Sequence, residues 1–111
     1  QRNGRMDNPI SKLDEIDKLL KSWQQSTYPS FQIYEIIKEL INDLKKDDFA
    51  RDSYVTEKLS TLSWHIDSIV GESNGNGHDG DKHYKWAKGD LNKLKVMAGH
   101  PDFQELMDFC Q

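Results

Sequence analysis

The chain has 111 residues, of which 31% are charged and 35% hydrophobic, with a net charge of −4 and a single cysteine. That length suits one domain with its own hydrophobic core, and the lone Cys110 excludes an internal disulfide. No apolar run approaches the ~20 residues that a membrane span requires and no signal-peptide pattern occurs, so the expected setting is cytoplasmic.

Met6 reads as a natural initiator, which makes residues 1–5 (QRNGR) a disordered tag remnant ahead of a single domain over 6–111. A first helix is expected from Asn8-Pro9, a good cap followed by a proline whose missing N–H costs nothing there. Ile10, Leu13, Ile16, Leu20 and Trp23 then recur at helical spacing, and Tyr28-Pro29 marks the break. A second helix follows Ser30. Ile33, Ile36, Ile37, Leu40, Ile41 and Leu44 form its stripe, and Lys45 and Lys46 complement its dipole at the end. After a short connection over 47–51, Asp52 or Ser53 caps a third helix with Val55, Leu59, Leu62, Ile66 and Ile69 on one side.

Residues 72–81 (ESNGNGHDGD) contain three glycines and no hydrophobe, and read as a flexible loop. A fourth helix begins near Asp81 and carries Tyr84, Ala87, Leu91, Leu94 and Ala98 on one face. Gly89 sits inside it at a cost of roughly 1 kcal/mol relative to Ala, so a kink or split is open there. Gly99-His100-Pro101 ends this helix, and Phe103, Leu106, Met107 and Cys110 would line a short last one. The fold class is therefore all-α: a small bundle of four to five antiparallel amphipathic helices.

Chemistry is weakly represented. His78, Asp79, Asp81 and His83 are metal-ligand types in close sequence. Their spacing fits neither an EF-hand nor a cysteine-based zinc site, and a polar loop with Asp79 or Asp81 as helix cap is the better reading. Ser63, His65 and Asp67 lie two apart on one helix and point in different directions. Cys110 falls on an apolar stripe. No phosphate-binding glycine loop or nucleophile motif is present. The expectation is a non-enzymatic protein with no catalytic residue, no metal and no cofactor.

Two tryptophans do not fit the stripes. On a wheel of ~100° per residue, Trp64 lies nearly opposite the Val55–Ile66 seam of the third helix. Trp86 lies with Lys82 and Lys93, and beside Met97, away from the core stripe of the fourth. Either an inner helix buries these residues or they mark a contact surface. Asp79 and Asp81 join Trp64, Trp86, Lys82, Lys93 and Met97 as candidate partner-binding residues. Small acidic helical proteins without catalytic apparatus include bacterial immunity proteins, antitoxins and other inhibitors that cover a toxin or enzyme. Asp43, Asp47, Asp48, Asp52 and Glu72 would suit a basic cleft. The alternatives are a nucleic-acid-binding or regulatory module using the five lysines between residues 82 and 95, ranked lower for an acidic chain, and a homo-oligomeric assembly such as a homodimer.

Overall fold

A computed structural model describes residues 8–25, 30–71 and 80–101. Among them the chain forms α1 (Pro9–Gln24), α2 (Phe31–Lys45), α3 (Ser53–Gly71) and α4 (Gly80–Ala98), with a 3-10 turn over Asp48–Arg51 between α2 and α3. The all-α bundle expected from the periodicity is the fold observed. Residues 1–5, the loop over 72–79 and the last helix expected after Pro101 lie outside the described residues.

Each helix begins where its cap chemistry allows. The Asn8 side chain accepts from the Ile10 N–H at 2.7 Å with Pro9 following it, and the Ser30 hydroxyl accepts from the Ile33 N–H at 3.4 Å. Asp47 accepts from the Phe49 N–H at 3.1 Å at the head of the 3-10 turn. Asp52 accepts from the Tyr54 N–H at 2.8 Å, which settles the cap of α3. α4 closes on Gly99 at φ 82°. There the Gly99 N–H bonds the Val96 carbonyl and the His100 N–H bonds the Lys95 carbonyl at 2.9 Å, a glycine-dependent terminus.

Two points become definite. α4 begins at Gly80, one residue ahead of Asp81, and it runs unbroken through Gly89, where a kink or split was open. Packing of the Ala87, Leu91 and Leu94 stripe on both sides of Gly89 offsets the local propensity cost.

α1 packs on α2 and α4, and α3 on α2 and α4, closing a four-membered ring. The polar pairs fix the directions. Tyr34 and Lys38 meet Asp67 and Ser63, Thr61 meets Asp90 while His65 meets His83, and Asp14 and Asp17 meet Lys95 and Lys88, so these neighbours run antiparallel. Leu13, Ile16, Leu20, Trp23, Ile37, Ile41, Leu44, Val55, Leu59, Leu62, Ile66, Ile69, Ala87, Leu91 and Leu94 form one continuous core. Ile36, counted on the stripe of α2, is instead exposed, because it lies about 100° from Ile37 at the edge of that face.

Candidate functional site

The α3–α4 seam carries a second, non-aliphatic stripe beside the core stripe of each helix. On α3 it comprises Thr61, His65 and Ser68; on α4 it comprises His83, Trp86 and Asp90. These residues flank the buried leucines and isoleucines of each helix, on the sides that face one another. His65, Ser68, His83 and Asp90 are buried there. Burial of that many polar groups demands partners, and the seam provides them. The Thr61 hydroxyl donates to Asp90 Oδ2 at 2.7 Å. The Nδ1 atoms of His65 and His83 stand 3.3 Å apart. His65 Nε2 faces the same Asp90 oxygen at 3.9 Å.

Burial pushes the His65 imidazole below its ordinary range. Asp90 pulls it back up, and His83 pushes it further down. The 3.3 Å separation suits an N–H···N hydrogen bond in which one ring donates and the other accepts.

Trp64 and Trp86 cover this pair from outside. The Trp64 ring lies 5.0 Å from His65 and 5.6 Å from His83, and Trp86 lies 5.5 Å and 5.2 Å from the same two rings. Yet both indoles remain open to solvent, Trp64 at 56% and Trp86 at 40%. An inner helix does not bury them, although Trp23 at 0% follows the usual tendency. Between the indoles lies an open groove of about 530 Å³ lined by Trp64, His65, Lys85, Trp86, Gly89, Asp90 and Lys93.

Gly89 forms part of the groove wall. A Cβ built there would meet nothing within 4 Å, so packing within the chain does not require glycine at this position. Its φ is also ordinary for a helix, unlike that of Gly99.

The other expected site residues fall as follows. Lys93 lines the groove, and Lys85 joins it from the same basic stretch. Lys82 is exposed one turn before Trp86. Met97 is not part of the exposed face: it is half-buried and packs against the core, as a long apolar side chain at the edge of the core stripe can. Asp81 lies in the first turn of α4, and Asp79 lies outside the described residues.

The basic stretch also divides. Lys88 and Lys95 reach across to Asp17 of α1 at 2.6 Å each, and Lys95 is buried in doing so. Those two lysines are stapled to α1, not presented along one face. A second hollow of about 470 Å³ lies beside them, lined by Asp17, Lys21, Gln24, Tyr84, Lys85 and Lys88. Its charges are the Asp17–Lys88 pair together with Lys21 and Lys85. Other exposed apolar residues do not make a patch: Phe31 and Ile36 are about 140° apart on α2.

Two imidazole nitrogens 3.3 Å apart match the bite of one metal ion. No group of three histidine, cysteine, aspartate or glutamate side chains converges among the described residues, and Asp90 approaches His65 from its opposite nitrogen. No helix among the described residues is long and apolar enough to cross a membrane. No known protein family, curated protein or solved structure matches this chain.

Proposed function

We propose that the chain is a non-enzymatic protein-binding module whose α3–α4 groove receives an apolar side chain of a partner protein, flanked there by carboxylates. The observation that carries this reading is the pairing of two exposed tryptophans with a groove-lining glycine that the fold itself does not need. Partly exposed tryptophans on a rigid helical scaffold supply large contact area at low entropic cost, which is why they dominate binding hot spots. A mid-helix glycine facing open space lets a partner approach the helix backbone closely. Lys85 and Lys93 line the same groove and set the sign of the complement, which is acidic.

A small inhibitor of the immunity or antitoxin type, covering the surface of a larger toxin or enzyme, is the class this reading fits by size. The sign differs from that suggested by net charge. Around the second connection Asp43 and Asp47 share a hollow with Lys12 and Lys46, and Asp48 pairs with Arg51 at 3.7 Å, so those acids are interleaved with bases. The tryptophan groove offers apolar area together with the basic flanks of Lys85 and Lys93, its lining acid being the buried Asp90.

Panning a random peptide library on the intact protein tests this. Enriched peptides should carry an aromatic or aliphatic residue beside Asp or Glu, and should bind Trp64→Ala and Trp86→Ala about 30-fold more weakly. Enrichment of peptides that bind the double variant equally well would overturn the reading. So would tight, steeply salt-dependent binding of single-stranded nucleic acid with no peptide enriched, which points to base stacking instead. A tryptophan-dependent dimer in sedimentation would assign the groove to a second copy of the chain.

A further inference from the structure

The outer face of α4 separates two hollows. The tryptophan groove lies on its α3 side, and the hollow of about 470 Å³ beside Asp17, Lys21 and Lys88 lies on its α1 side. Lys85 lines both. On a wheel of ~100° per residue, Gly89 falls nearly opposite the buried Ala87, Leu91 and Leu94, which makes it the crest of α4 one turn after Lys85. A Cβ there would meet nothing within 4 Å, so the missing side chain leaves a notch in the ridge between the hollows.

The two hollows differ in chemistry. Two exposed indoles dominate the groove. The α1–α4 hollow instead sets the ammonium groups of Lys21, Lys85 and Lys88 around one carboxylate, Asp17, which already holds Lys88 and Lys95 at 2.6 Å each. Lys21 and Lys85 stand exposed beside it. An excess of positive charge next to an aromatic groove selects a ligand that is apolar at one end and anionic at the other. No arginine lines either hollow, and Asp17 would repel a continuous phosphate backbone, so discrete carboxylates of a protein are the better complement.

We propose that an extended, acidic segment of the partner protein spans both hollows: its apolar side chain sits between Trp64 and Trp86, its backbone crosses α4 at Gly89, and its carboxylates enter the α1–α4 hollow against Lys21, Lys85 and Lys88. This rests on the reading of the groove as the partner surface, to which it adds a second subsite and a direction. A helix with its side chains is about 10 Å across, and extended chain advances about 3.3 Å per residue. The carboxylates therefore stand roughly three to four residues from the apolar anchor, on one side of it only. Glycine at the crest lets the crossing backbone lie close to the helix.

A library of short peptides with one fixed central phenylalanine and random flanks, panned on the intact protein, tests this. Asp or Glu should be enriched about three to four residues from the phenylalanine, on one side. Lys21 lines the α1–α4 hollow and not the groove, so it separates the two subsites. For an enriched peptide, Lys21→Gln should weaken binding about threefold and Lys21→Glu about tenfold. Replacing the distal carboxylates of the peptide by amides should remove the effect of both variants. Lys21→Gln adds no negative charge beside Asp17, and thermal unfolding confirms that each variant is folded. Equal affinity of wild type, Lys21→Gln and Lys21→Glu for a peptide that depends on Trp64 and Trp86 overturns the crossing and leaves the groove reading intact. Enrichment only of peptides indifferent to Trp64→Ala and Trp86→Ala overturns both. Binding of a single-stranded oligonucleotide that Lys21→Glu weakens, with no peptide enriched, overturns both in favour of phosphate recognition. A dimer in sedimentation that Lys21→Glu dissociates overturns the proposal in favour of a second copy of the chain.

Discussion

Asp17 of α1 holds the buried ammonium of Lys95 of α4 at 2.6 Å, and it holds Lys88 at the same distance from its solvent side. Burial alone would raise the Asp17 carboxyl, but hydrogen bonds from Lys88 and Lys95, with their charges, outweigh it and lower the group below the ordinary carboxylate range. Asp17→Ala would remove the 2.6 Å contact to Lys95 while Asp14 stays at 3.4 Å. Its expected cost is about 2 kcal/mol, below the ~3–5 kcal/mol of a fully buried pair because Asp14 and solvent take up part of the charge. Denaturant unfolding measures it. A change within experimental error would mean that the α1–α4 staple adds nothing.

The same pair gives an acid limit. A carboxyl with a lowered folded value contributes stability above its unfolded value of about 3.9, and the contribution fades as pH falls through the lower folded one. Wild type should therefore lose more stability than Asp17→Asn between about pH 4 and pH 2. Parallel pH–stability curves for the two proteins would contradict the assignment.

The tryptophans should separate cleanly by environment. Trp23 is fully buried and meets Tyr84 edge-on at 6.1 Å, so Trp23→Ala is expected to cost about 3–5 kcal/mol. Trp64 is more than half exposed, and Trp64→Ala should cost less than about 1 kcal/mol in the free protein. Thermal unfolding of the two variants checks this, and a Trp64→Ala protein as unstable as Trp23→Ala would make Trp64 a packing residue.

The main stripes were legible because aliphatic residues at spacings of three and four must face one core. Leu13, Ile16, Ile37, Ile41, Leu59, Leu62, Ile66, Leu91 and Leu94 are all buried where the periodicity places them. Caps were legible for a local reason, since Asn8, Ser30, Asp52 and Gly99 act within a few residues of themselves. The His65–His83 pair was not. Spacing relates each histidine only to neighbours on its own segment, whereas its partner is 18 residues away on the facing helix. A faint signal did exist in the flanking stripes Thr61-His65-Ser68 and His83-Trp86-Asp90, which repeat at helical spacing just beside the aliphatic ones. Lys88 and Lys95 misled in the same way: spacing along one helix counts charges but does not show that Asp17 neutralises them.

Gly89 separates stability from recognition. Alanine there gains helix propensity and meets no atom within 4 Å, so Gly89→Ala should stabilise the free protein by up to about 1 kcal/mol. The added methyl group projects toward the groove that Trp64, Trp86 and Lys93 line. Calorimetry should show a higher Tm together with weaker binding of a groove-selected peptide. Unchanged affinity would mean that the partner does not approach this part of α4.

His65 fixes the sign of the stability change near neutrality. Its folded value is lowered chiefly by burial, with Asp90 opposing and His83 reinforcing. Below about pH 6.5 the unfolded chain therefore binds more protons than the folded one, and stability falls as pH decreases until the folded group itself titrates. Above that range the contribution is constant. Unfolding free energies should drop on going from about pH 7.5 to about pH 5, and His65→Asn should flatten that part of the curve while lowering its plateau through the lost packing. The opposite slope, with stability rising toward acid, would require an imidazolium favoured by the fold. Asp90 would then dominate its surroundings, and the His65–His83 contact would be a charged pair even at neutral pH.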